Sequence, residues 1–180
     1  IILGKYIGVM LLVLIVFLIL TKPLTLWQII LGKYIGVMLL VLIVFLTTFI
    51  YLFPLYDLKL NTFSLDWGST FISYLGLILV SSVFIAMGLL SSLLTKSQVT
   101  AFMLALILCF IQFFLWKGIA DLMLDSMTYN LFNQLGIFEH YQRLRQGLIS
   151  IKDLIYFMAL NLVLLRLSSL VLLRIKNKGW

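Results

Sequence analysis

The sequence predicts an all-α protein, a polytopic bundle of transmembrane helices, and three observations lead there. Of its 180 residues, 64% are hydrophobic and only 11% are charged, with a mean hydropathy of +1.21. Soluble domains are about 25% charged, so this chain lacks the polar surface that water requires. From Thr21 onward, four apolar stretches approach or exceed the ~20 helical residues that cross a bilayer core: Ile29–Phe53, Phe71–Leu94, Val99–Trp116 and Leu154–Leu173. Third, helix-start signals stand directly before three of the four.

The chain before Thr21 is a different case. Ile1–Leu18 and Ile29–Leu46 are identical, whereas diverged repeats share a pattern rather than every residue. Residues 1–20 are therefore expected to be a duplicated apolar string placed by a register artefact, and residues 21–180 to form a single transmembrane domain. With no initiator Met, the chain is expected to begin partway into a longer protein.

Thr25 precedes Gln28 by three residues, ahead of the first span; Thr95 and Gln98 repeat the arrangement before the third. Both fit a capping box, in which side chains satisfy amides at a helix start. Ser150 and Asp153 form a looser version before the fourth, where the Asp also favours the positive end of the helix. Ser69 or Thr70 is expected to cap the second. The third span is short and is expected to stand nearly upright.

Four spans place the segment before Ile29 and the C-terminal tail on one side. Lys22, Lys33, Lys96, Arg174, Lys176 and Lys178 fall on that side in short segments. Lys59, Lys117, Arg143, Arg145 and Lys152 fall on the other over a longer stretch, with all six acids, Asp57, Asp66, Asp121, Asp125, Glu139 and Asp153. Basic density sets orientation, so Thr21–Gln28, the Thr95–Gln98 turn and the tail are expected to be cytoplasmic. On the outer side Ile137, Tyr141, Leu144 and Leu148 recur at helical spacing, which predicts a short amphipathic helix at the membrane surface.

Several chemistries lack residues. There is no G-x-x-x-x-G-K-S/T, since Gly32-Lys33 is followed by Tyr34, so no P-loop binds ATP. One His, one Cys and scattered acids give no metal-ligand spacing, and no serine has a paired His for nucleophilic catalysis. Catalytic, cofactor-binding and metal-binding residues are thus none, no cofactor is expected, and the basic residues behind the net charge of +7 are read as standing beside membrane spans rather than clustered for nucleic acid. The single Cys109 excludes an intrachain disulfide. His140 beside Glu139 offers a proton relay, but an interfacial His with a polar neighbour is the expected reading.

Within the spans, Gly32/Gly36, Ser82/Ala86 and Gly88/Ser92 are small residues four apart, a spacing that lets helices approach closely; packing inside the bundle is expected, with a dimer interface as the alternative. Arg166 is the one charge well inside a span and is a functional candidate for that reason. The alternative is that it snorkels to the cytoplasmic headgroups, ~12 Å away if the core ends near Arg174.

The stretch Thr21-Lys-Pro-Leu-Thr-Leu-Trp-Gln-Ile-Ile-Leu-Gly-Lys-Tyr34, followed by Gly68-Ser-Thr70, Ser73–Leu77, Ser91–Thr95, Ser97-Gln98, Ala101-Phe102, Leu135–Ile137, His140-Tyr141, Arg145–Ile149 and Lys152–Phe157, resembles the permease subunit of ABC-2-type transporters. It is most similar to the gliding-motility-associated permeases of Bacteroidetes-type bacteria, and the likeness covers nearly all of 21–180. The resemblance implies a permease half in the bacterial inner membrane that pairs with a second permease and with cytoplasmic ATPase subunits, so ATPase activity is expected in a separate chain. It also implies six helices, so a polar amphipathic stretch preceded by two more spans is expected before Thr21. Coupling to the ATPase is expected at Thr21, Lys22, Pro23, Leu24, Thr25 and Trp27, and at Thr95, Lys96, Ser97 and Gln98. Two readings compete with transport: an anchoring or assembly subunit of a motility or secretion machine, and a channel or ion-coupled carrier. The second would need more intramembrane polar residues than Gln112, Asn161 and Arg166.

Overall fold

A computed structural model describes residues 25–51, 66–123 and 125–177; the duplicated string and Thr21–Leu24 lie outside the described residues. Every regular element described is helical: α1 (Leu26–Ile50), α2 (Trp67–Leu94), α3 (Gln98–Phe110), a π-helical turn (Ile111–Leu115), α4 (Trp116–Asp121), α5 (Ser126–Leu135), α6 (Ile137–Arg145) and α7 (Ile151–Asn177). Four helical segments are long and apolar enough to cross a membrane: Leu26–Ile50, Trp67–Leu94, Gln98–Asp121 and Ile151–Asn177.

The spans agree with the sequence in number, and their ends differ for identifiable reasons. The Thr25 box forms as expected: the Gln28 amide donates to Thr25 Oγ1 at 3.4 Å and the Thr25 amide to Gln28 Oε1 at 2.9 Å. Helix α2 begins earlier than expected, because Asp66 rather than Ser69 or Thr70 is its cap and accepts from the Gly68 amide at 3.0 Å. The Thr95 box does not form. Thr95 ends α2 and its hydroxyl donates back to the Ser91 carbonyl at 3.0 Å, leaving Ser97 as the α3 cap with no side-chain bond. The third span is not short: it passes through the π turn and α4 to Asp121, 24 residues in all, long enough to tilt. Asp153 makes no capping pair with Ser150; it is drawn into another interaction described below.

Helix α2 is the central post, packed against α1, α3, α6 and α7. Its buried face, Val80, Val83, Ala86 and Met87, meets Ile30 of α1 and Phe157, Leu164 and Leu165 of α7. The expected amphipathic helix is present as α6, preceded across Gly136 by α5, which the sequence reading did not separate. Ile137 and Leu144 are fully buried, while Leu148 lies beyond the end of α6 and is exposed. Helices α5 and α6 close the distal end of the bundle; α1 begins, and α2 and α7 finish, at the proximal end.

Two glycines permit the distal closure. A Cβ on Gly76 of α2 would stand 3.0 Å from Leu144 Cβ of α6. Gly147 has φ +78° and brings the α6–α7 connection against Ser69, a conformation for which glycine carries no steric penalty. By contrast Gly32 and Gly36 are exposed, and an added Cβ would meet nothing within 4 Å. That pair therefore does not pack inside the bundle as expected, whereas Ser82 and Ala86 do. We expect Gly76→Val to lower stability by about 2 kcal/mol through overpacking, while the exposed Gly36→Val changes it by less than about 0.5 kcal/mol. Thermal midpoints of both variants in one detergent check the contrast; equal midpoints would remove the close approach of α2 and α6 from the description.

Candidate functional site

Polar groups gather at three levels along the bundle. At the proximal end, Trp27, the second residue of α1, is half-buried and Arg166 of α7 lies over its ring, 5.0 Å from the centroid. The sequence places these two residues far apart and the fold brings them together. Arg166 is exposed on the bundle surface, so the span interior does not enclose it. Thr25 caps α1 beside Trp27, while Thr95, Lys96, Ser97 and Gln98 form the α2–α3 turn at the same end, with Lys96, Ser97 and Gln98 exposed. Thr21, Lys22, Pro23 and Leu24 lie outside the described residues.

Midway, Tyr34 of α1 donates to Asn161 Oδ1 at 3.2 Å, and Asn161 Nδ2 of α7 donates to Ser82 Oγ of α2 at 2.8 Å. Ser82 donates in turn to the Leu79 carbonyl at 2.6 Å. Three spans are thus tied by hydrogen bonds where hydrocarbon offers no competing partner; such bonds contribute about 0.6 kcal/mol each.

The distal level is the most charged. Asp153, in the first turn of α7, is fully buried. Arg143 Nε of α6 stands 3.2 Å from both its oxygens, and Arg143 Nη2 also donates to Oδ1. His140 Nδ1 is 2.6 Å from the same Oδ1, and His140 Nε2 is 2.9 Å from the Gln134 carbonyl, to which it donates because a carbonyl only accepts. The imidazole stacks on Tyr156 at 3.9 Å with the rings 15° apart. His140 is therefore not the interfacial residue beside Glu139 that the sequence suggested; Glu139 pairs with Arg143 at 3.6 Å instead. The hydrogen bonds to Asp153 hold the Arg143 guanidinium above its ordinary pKa.

A second set extends from this cluster. Tyr156 donates to the Leu135 carbonyl at 2.6 Å and accepts from Gln112 Nε2 at 2.9 Å, while Trp116 Nε1 donates to Gln112 Oε1 at 3.1 Å. Gln112 lies in the π turn, and such turns are frequent at functional sites. Among the described residues every buried side-chain polar atom has a hydrogen-bond partner, and no group of three His, Cys, Asp or Glu is placed to hold a metal.

This arrangement joins helices and holds charge at both ends of a membrane bundle. A family model described as an ABC-2 family transporter protein matches residues 16–175. The chain belongs to the ABC-2 transporter family. No curated protein and no solved structure matches it. Membership makes this ABC-2 transporter chain a multi-pass membrane component rather than the ATPase, and implies association with ABC ATPase subunits.

Sequence reasoning singled out Trp27 and Arg166 separately and missed Tyr34, Ser82, Asp153 and Arg143 as interacting groups. A signal for the distal cluster was present in two of its members: His140 lies three residues after Ile137 and four before Leu144, on the apolar stripe of α6, and Asp153 lies four before Phe157 on the apolar stripe of α7. A charged residue on such a stripe is retained only with a partner.

Proposed function

We propose that this ABC-2 chain is the permease subunit of an ATP-driven export system in the bacterial cytoplasmic membrane, linked to gliding motility. It pairs with a second permease subunit, and ATP hydrolysis in separate cytoplasmic subunits drives substrate translocation through the pair. The proximal end faces the cytoplasm, as does the C-terminus. Residues 21–180 act as one permease domain, and the sequence native to positions 1–20 differs from the duplicated string.

The family match across 16–175 carries this reading. Two features support its details. The short basic segments are concentrated at the proximal end, the distribution expected of a cytoplasmic face. There, the α1 entrance touches α7 through Trp27 and Arg166, so a push on the segment from Thr21 to Trp27 reaches two spans at once, and Tyr34 and Asn161 extend the link to α2 through Ser82.

The test is purification of the tagged full chain from its host membrane in mild detergent. A P-loop ATPase is expected to co-purify in near-equal amount and to hydrolyse ATP faster in the complex than alone. Purification without any ATPase, from cells that express one from a neighbouring gene, contradicts the permease reading. An associated ATPase whose turnover ignores the chain favours an anchoring subunit instead.

A further inference from the structure

We propose that Arg166 and Trp27 form a binding site for the phosphate of an anionic phospholipid headgroup at the proximal end of the bundle. The site does not depend on the transport reading; it follows from where one guanidinium sits and what surrounds it.

Arginine carries five N–H donors and no acceptor, and remains charged. Arg166 Cζ stands over the Trp27 ring, 5.0 Å from its centroid, an attraction that holds the guanidinium there without satisfying any N–H. Among the described residues Arg166 makes no side-chain hydrogen bond and no ion pair.

Among the described residues no counter-charge lies within reach of Arg166. The described acids, Asp66, Asp121, Asp125, Glu139 and Asp153, all lie at the distal end, and the sixth, Asp57, is outside the described residues. Asp153, on the same helix, is 13 residues away, which is ~20 Å along the axis and beyond the ~8 Å screening length of physiological salt. Cations accumulate instead: Arg174 and Lys176 follow in the last turns of α7.

The surface around Arg166 identifies the occupant. Ile155, Met158, Leu162 and Val163 are exposed on α7 between Arg166 and the distal end, an apolar surface suited to acyl chains. Arg166 stands at the level of Trp27, which lies within the polar Thr25–Gln28 cap of α1. Tryptophan favours that interfacial depth, which is also where lipid phosphates lie. A phosphate diester presents two oxygens that a guanidinium grips in bidentate fashion. Tails along the apolar flank, phosphate on the Arg166 edge and basic residues beyond it together match a phospholipid with net negative charge.

The experiment is native mass spectrometry of the full chain released from detergent, with dioleoyl phosphatidylglycerol, dioleoyl phosphatidylcholine or inorganic phosphate added at equal concentration. The parent protein is expected to retain one phosphatidylglycerol in preference to phosphatidylcholine. Arg166→Gln is expected to reduce that retention roughly fivefold, the effect of one basic residue at an anionic surface. Arg166→Lys, which keeps the charge and guards against a folding defect, is expected to retain more than Gln but less than the parent; Trp27→Leu is expected to weaken retention, and Lys33→Gln, a cation on another face of α1, to leave it unchanged. Equal phosphatidylglycerol retention by parent and Arg166→Gln overturns the site, as does equal retention of the two lipids by the parent. Displacement of the lipid by inorganic phosphate at the same concentration overturns the lipid assignment. So does an Arg166→Gln variant that keeps the lipid but loses a co-purifying protein, because the partner is then a protein carboxylate.

Discussion

Replacing Asp153 with Asn is expected to destabilise the protein by about 3 kcal/mol, the low end of the range for breaking a buried ion pair. The carboxylate is fully buried and meets Arg143 Nε at 3.2 Å and His140 Nδ1 at 2.6 Å. An amide of equal size retains the shape but removes the charge that compensates the guanidinium. The Arg143 side chain is 34% exposed, so water relieves part of the loss, which is why the upper end of that range does not apply. Thermal unfolding in detergent reads the effect, and a cycle with Arg143→Gln isolates it: Asp153→Asn should cost far less in the Arg143→Gln background, because the charge it strands is gone. Equal losses in both backgrounds would show that the pair does not act as a unit. The distal helices α5 and α6 should detach first, since His140, Arg143 and the Gln134 carbonyl all belong to that cap.

The second large effect concerns coupling rather than stability. A proline fixes its own φ and biases the residue before it toward an extended conformation, so from sequence Lys22-Pro23 is expected to leave the entry to the Thr25 cap little backbone freedom. Changing Lys22-Pro23-Leu24 to Gly-Gly-Gly is expected to leave membrane levels normal, because every apolar span is intact. Added freedom in the unbound segment costs about 2 kcal/mol over three positions, or roughly a thirtyfold loss of affinity for a docked ATPase. Co-purification and stimulated ATP turnover measure it. Normal association together with normal turnover would leave the segment without a coupling role.

The membrane bundle was legible in the sequence because hydropathy over ~20 residues is a strong, local signal. Capping was legible only where no nearer partner competed: Thr25 had none, whereas Thr95 found the Ser91 carbonyl one turn back and Asp66 captured the α2 start ahead of Ser69 and Thr70. The third span was read as ending at Trp116 because Lys117 and Asp121 interrupt its apolar run. The helix continues through them, with Lys117 settling over the Phe138 ring at 4.2 Å. What the sequence concealed was pairing between distant positions. Tyr34 and Asn161 are 127 residues apart, and Trp27 and Arg166 further still. Arg143 and Asp153 are near in sequence but meet only because Gly147 turns the chain with φ +78°, a geometry that composition does not encode.

The most direct measurement of the account is photo-crosslinking from the two ends of the bundle. A p-benzoylphenylalanine introduced at Gln28, exposed beside the α1 cap, and another at Ser97 in the α2–α3 turn should both form adducts with the ATPase subunit in intact cells. The same group at Gln134, exposed at the end of α5 in the distal cap, should form none. Adducts from Gln134 with none from Gln28 and Ser97 would place the ATPase at the wrong end and contradict the account.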